Sequence, residues 1–134
     1  MSSRLELINP ANGEKFRELP YHNWEEAKSL LVQAGNTQKQ WKHTEISERI
    51  HLVKAAMDYF RDNKHSIAED ITQQMGKPIS QSMNEVKGMI HRAEVCCDLA
   101  EDALKDITFS EANGLRRFIK REPLGVILDI AAWN

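Results

Sequence analysis

Several side chains in this 134-residue chain could do chemistry. The two cysteines are adjacent, Cys96 and Cys97. A nucleophilic or metal-binding thiol needs its thiolate, which a helix N-terminus or a nearby cation stabilises. These two fall mid-way along a helical pattern, Cys97 on its apolar stripe, so packing is the favoured reading. The histidines (22, 43, 51, 65 and 91) show no ligand spacing, and no metal is expected. Gly76-Lys77 is superficially like a phosphate loop. It lacks a glycine five positions earlier, and Pro78 stands where Ser or Thr would meet magnesium, so helix termination explains it. Arg116, Arg117, Lys120 and Arg121 form a basic cluster. A charge-guarded strand edge is favoured over a nucleic-acid surface. Asp129 interrupts an apolar run, where a buried carboxylate needs a partner or a shifted pKa. Function and simple pairing both remain open for it. Trp133-Asn134 follow that run directly. In α/β sheets ligands gather at the carboxyl ends of strands, so the two are candidate site residues, or else a loop.

The elements that must position these groups are readable from periodicity. Leu5 to Leu19 reads as a small hairpin or a pair of short strands around a turn at Pro10-Ala11-Asn12-Gly13, and Pro20 ends it. Asn23 with Glu26 has capping-box spacing, opening a helix whose apolar face is Trp24, Ala27, Leu30, Leu31 and Ala34. That helix ends at Gly35-Asn36 or frays towards Trp41. Ile46, Ile50, Val53, Met57 and Phe60 mark a second helix, ending near Asp62-Asn63. Ile67, Ala68, Ile71 and Met75 mark a third, with Gly76 as its C-terminal cap. A fourth carries a heptad-like stripe: Ile79, Met83, Val86, Ile90, Ala93, Cys97, Ala100 and Leu104. Its small residues suit a helix lying on a core better than a coiled coil. Leu115 to Lys120 alternates as an exposed strand. Val126 to Ala131 is nearly continuous and β-branched, like strands buried on both faces of a parallel sheet.

Composition narrows the function. The chain has 18 basic and 20 acidic residues, a formal net charge of −2. There is no general attraction to nucleic acid or to anionic membranes. No apolar run is long enough to span a bilayer, and Met1 to Pro10 lacks a signal peptide's apolar stretch. Two adjacent cysteines exclude a disulfide scaffold and a four-ligand zinc site. A reducing, cytoplasmic setting with no nucleic-acid or membrane partner is expected.

Together, four segments resemble the start of the NAD(P)-dependent aldehyde dehydrogenases. Ile8-Asn9-Pro10-Ala11-Asn12-Gly13-Glu14 is similar to the family's opening I-N-P-A-T-G-E. Met75-Gly76-Lys77-Pro78 with Glu85-Val86 resembles M-G-K-P…E-V. Arg121-Glu122-Pro123-Leu124-Gly125-Val126 resembles R-E-P-x-G-V, and Trp133-Asn134 matches the end of P-W-N. The segments come in the family's order and the resemblance covers the whole chain. The stretch from Met75 to Glu101 leans towards the succinate-semialdehyde branch.

The resemblance implies an α/β fold. The chain would be the mostly helical N-terminal part of a Rossmann-like cofactor domain, with Leu115 to Lys120 resembling a strand of the oligomerisation sheet. It implies an NAD or NADP cofactor, a small-molecule aldehyde substrate and a homo-oligomer at full length. Asn134 would donate its amide to the oxyanion, and Ile130, Ala131, Ala132 and Trp133 would line the cofactor cleft. The family's nucleophile, its glutamate and its glycine-bearing cofactor motif have no match in these residues. The chain is therefore expected to be a fragment, inactive alone. Ala132 replaces the family's usual proline, and Asp129 stands where small or apolar residues are usual. The rival reading is a non-catalytic helical module that binds a partner through the Ile79–Leu104 stripe.

Overall fold

The computed structural model describes residues 4–130. Two strands, β1 (Arg4–Ile8) and β2 (Lys15–Pro20), open the chain as an antiparallel hairpin, with Leu5 opposite Leu19 and Leu7 opposite Arg17. Its turn closes through Gly13 N–H to Asn9 O and Asn9 N–H to Glu14 O, both 2.8 Å. Gly13 sits at φ +77°, a conformation open to glycine at no steric cost.

Helix α1 (Trp24–Trp41) begins as its spacing predicts. Glu26 N–H donates to Asn23 Oδ1 at 2.9 Å, and Asn23 N–H donates to Glu26 Oε2 at 2.8 Å. It continues through Gly35-Asn36 to Trp41. The face from Trp24 to Ala34 was expected to pack, yet α1 buries no residue and Trp24 is 76% exposed. The cap and the chain's helix propensity form this helix; its apolar side is left largely uncovered among the described residues.

The core belongs to α2 (Ile46–Asp62), α3 (Lys64–Met75) and α4 (Ile79–Leu104). Met57, Ala68, Val86 and Ile90 meet at its centre, with Phe60, Ile67, Ile71, Met83 and Ala93 around them. The periodic stripes of all three helices converge there, as expected. Ala68 is fully buried and its single methyl lets α3 lie close. Ser82 is also fully buried, and its hydroxyl shares a 2.8 Å hydrogen bond with Thr72 Oγ1. This bond satisfies the hydroxyl that Ser82 takes out of water.

Gly76 ends α3 in the left-handed conformation (φ +69°, ψ +17°), its N–H donating to Thr72 O at 2.9 Å. Here the hairpin docks on the helices. A Cβ on Gly76 would stand 2.7 Å from Pro10 Cγ. Arg17 reaches Asp70 at 3.5 Å nearby, and Lys77 pairs with Glu85 just after the turn. Two of the segments quoted above, around Pro10 and around Gly76, are therefore in contact.

Beyond α4 lies a second antiparallel hairpin, β3 (Ile107–Ala112) and β4 (Leu115–Ile119). Its loop is Asn113-Gly114, at φ +54° and +72°, the signs of the tight turn that matches strand twist. The strand expected at 115–120 is present to Ile119; its partner β3 was not anticipated.

The expected two-sided strand at Val126 to Ala131 is not found over 126–130. These residues join no ladder, and Leu128 is 82% exposed. A strand of that kind takes its hydrogen bonds from neighbours on either side. Among the described residues no strand lies beside it. Ala131 lies outside the described residues. No described helix is long and apolar enough to cross a membrane.

Candidate functional site

Of the residues expected at a site, Ala131, Ala132, Trp133 and Asn134 lie outside the described residues. Ile130 is described, and its side chain is 77% exposed. Asp129, expected to be a buried carboxylate, is exposed. The apolar run around it is not covered, so water solvates its charge and no partner is required.

The segment leading to Ile130 is held by specific contacts. After β4 the chain turns back towards α1. Arg121 N–H donates to Asp106 Oδ1 at 2.9 Å, tying the two ends of the second hairpin. Lys120 and Glu122 form an ion pair at 2.8 Å. Their hydrogen bond and mutual charge raise the Lys120 pKa and lower that of Glu122. Gly125 has φ +108°, which side-chain-bearing residues rarely adopt. It redirects the chain so that Val126 lies against Leu30, Ala34 and Trp41 of α1, where an apolar hollow of about 440 Å³ opens.

Arg49 holds the corner between α1 and α2. Its Nε donates to Thr44 O at 2.9 Å and its Nη2 to Lys42 O at 3.1 Å, with the guanidinium 5.7 Å from the centre of the Trp41 ring. This fixes Lys42 and His43 opposite Lys120 to Gly125, across an open polar cavity of about 510 Å³. Sequence reading missed the cavity. Its two walls come from distant parts of the chain and neither carries a motif that names the other.

The remaining candidates fall where packing puts them. Cys97 is buried and Cys96 exposed. Both line an apolar groove of about 230 Å³ between α2 and α4. Lys77 is engaged by Glu85 across the α3–α4 turn, in keeping with helix termination rather than a phosphate loop. Of the basic cluster, Arg117 donates to Ser110 O at 3.1 Å and Arg116 lies 5.7 Å from the centre of the Phe118 ring. Among the described residues, no three His, Cys, Asp or Glu side chains gather as metal ligands would.

Comparison with known proteins supplies the frame for these elements. The model of the aldehyde dehydrogenase family matches residues 1–134. A 3,6-anhydro-alpha-L-galactose dehydrogenase of Vibrio sp. (strain EJY3) is 28% identical over 129 residues, covering 96% of this chain and 27% of the relative. A succinate semialdehyde dehydrogenase [NAD(P)+] of Escherichia coli (strain K12) is 31% identical over 129 residues, covering 95% and 27%. Among solved structures, an NADP-dependent glyceraldehyde-3-phosphate dehydrogenase from Bacillus halodurans C-125, complexed with NADP, superposes with a TM-score of 0.75. It is 28% identical and covers 79% of this chain and 22% of that one. The chain thus spans about a quarter of the length of the curated relatives it matches. With a match along its whole length, and helices and hairpins that superpose on a member's structure, the chain belongs to the aldehyde dehydrogenase family and corresponds to the N-terminal, mostly helical segment of that α/β fold.

Proposed function

We propose that this chain is the N-terminal portion of an oxidoreductase that converts an aldehyde to a carboxylic acid with NAD+ or NADP+. The reaction would pass through a thioester on a cysteine outside these residues. The observation that carries the reading is the family match over residues 1–134. The named relatives act on aldehydes of several kinds, so the substrate is assigned as a small-molecule aldehyde and no further.

The contribution of this chain is placement. Bound NAD(P)+ supplies the hydride acceptor. Ile130 offers an exposed aliphatic surface with no donor or charge, which suits packing against a flat nucleotide ring but not holding phosphates. With Ala131, Ala132 and Trp133 it forms one wall of the cleft in this proposal. In this proposal Asn134 would donate its amide to the carbonyl oxygen that becomes negative on attack, stabilising that charge more than the neutral ground state. The 115–120 segment lies at a subunit contact in a homo-oligomer, and the working location is the cytoplasm. The rival helical module has less surface to offer, since Val86, Ile90 and Cys97, in the middle of the stripe, are buried within this chain.

The test is steady-state kinetics and cofactor titration on a chain extended through the nucleophile. Loss of one such donor costs about 2.7–4 kcal/mol, so Asn134→Ala should lower kcat roughly a hundredfold to a thousandfold with cofactor affinity nearly intact. Asn134→Asp should be at least as damaging, and Trp133→Ala should raise the cofactor Kd. Near-normal kcat in Asn134→Ala would remove the oxyanion role. Aldehyde oxidation by the 134-residue chain alone would refute the fragment reading.

A further inference from the structure

The polar cavity beside the α1–α2 corner is unlike the rest of a chain whose formal charge is −2. Its walls carry Lys42 and His43 on one side and Lys120 and Arg121 on the other, and Gln38 also lines it. Two carboxylates belong to the same surroundings: Glu122 lines the cavity and feels the Lys42 charge, and Asp106 stands beside it. Glu122 is ion-paired with Lys120, and Asp106 accepts the Arg121 backbone N–H. The Lys42 ammonium, the His43 imidazole and the Arg121 guanidinium form no hydrogen bond or ion pair among the described residues. Three fixed cations and a histidine therefore face two carboxylates.

We propose that this cavity binds a small phosphate monoester through Lys42 and Arg121, with His43 and Gln38 as further donors. The donor set suits that chemistry. A planar guanidinium takes two oxygens of one group, and an ammonium acts as a point charge on a third. The volume, about 510 Å³, leaves room for a few carbons beyond the phosphate. Binding there joins residues 42–43 to residues 120–121. It would hold the Glu122–Gly125 bend against the end of α1, and this bend carries the chain towards Ile130. The proposal does not depend on the aldehyde-oxidising reading, and its test involves no turnover.

The probe is inorganic phosphate, titrated into the full-length protein that carries this segment, at low ionic strength because exposed charges are screened by salt. Amide resonances of Lys42, His43, Arg121 and Gly125 report binding. Saturable shifts with a Kd of about 1–10 mM are expected for such an open site. Lys42→Gln and Arg121→Gln should each raise that Kd about fivefold, and Arg121→Lys should keep part of the affinity. Lys28→Gln, on an exposed part of α1, should bind like the parent. A three-carbon phosphate monoester should bind tighter than inorganic phosphate, and a dicarboxylate weaker. Shifts that never saturate, parental affinity retained in both Lys42→Gln and Arg121→Gln, or a comparable loss in Lys28→Gln would overturn the proposal. Helix ellipticity checks that each variant is folded. If Arg121→Gln has lost its helix signal, Lys42→Gln and Arg121→Lys decide.

Discussion

Gly76→Ala puts one methyl group into the contact between the first hairpin and the helices. Two costs act there and they can be separated. The residue holds φ +69°, where a Cβ costs about 1–2 kcal/mol, partly offset by about 0.4–1 kcal/mol from a stiffer unfolded chain. The new Cβ would also lie 2.7 Å from Pro10 Cγ, well inside the roughly 3.5–4.0 Å of a comfortable carbon contact. Pro10 is a ring and cannot rotate out of the way. Either the helix end shifts or the hairpin lifts, and overpacking of this kind costs about 1–3 kcal/mol. The sum is about 2–4 kcal/mol for Gly76→Ala. In a Pro10→Ala background Cγ is gone and only the backbone part, about 1 kcal/mol, should remain. Urea titration followed by helix ellipticity, on all four members of the cycle, reads the difference. With m about 1 kcal/mol/M, the steric part alone should move the midpoint by about 1–3 M. A coupling below about 0.5 kcal/mol would show that Pro10 does not constrain Gly76, and that the hairpin is free of the helices.

The 134-residue chain should self-associate through the exposed run at 124–130, as seen by sedimentation; a monomer whose amides in that run exchange slowly would contradict this. In an extended, oligomeric protein, Phe118→Asp or Ile119→Asp should give smaller species on size exclusion if 115–120 lies at a subunit contact, since an unpaired charge would be buried there; unchanged size in both would end that assignment. Glu18 should tie the first hairpin to pH. Hydrogen bonds from Lys15 and Arg4, and the Lys15 charge, lower its pKa below the ordinary 4.5. A group lowered in the folded state stabilises above its unfolded pKa and loses that contribution as pH falls through the folded value. Hairpin order, read by NMR between pH 5 and pH 2, should therefore fall on acidification, and Glu18→Gln should flatten that profile.

How far these features could be read in advance follows from how local their causes are. The Asn23–Glu26 cap, the left-handed Gly76 and the hairpin turn at 10–13 each depend on a few adjacent residues, and all are found. The stripes of α2, α3 and α4 were readable because these helices bury their apolar faces on one another. The same periodicity misled for the Trp24–Ala34 face and for 126–130. A pattern records that a surface is made for burial, and it does not say which residues will cover it. Strand β3 was missed although Asn113-Gly114, a strong two-residue turn signal, stood beside it. The cavity walled by Lys42 and Arg121 was out of reach for another reason. It exists only because Arg49 bends the chain at one end and Asp106 gathers it at the other, and neither contact has a local signature.

The contiguity of the three-helix core bears on how the chain comes to fold. Every buried residue of the cluster lies between Met57 and Ile90, and the helices that carry them follow one another with Asn63 and residues 76–78 as the only connections. Such short-range contacts close with little loop entropy and form fast. During synthesis this unit is complete once Leu104 has left the ribosome, before the second hairpin and the apolar run after it have been made. The helices then stand as a finished surface when residues 124–130 emerge. The most aggregation-prone stretch of the described chain therefore emerges only after that unit is complete.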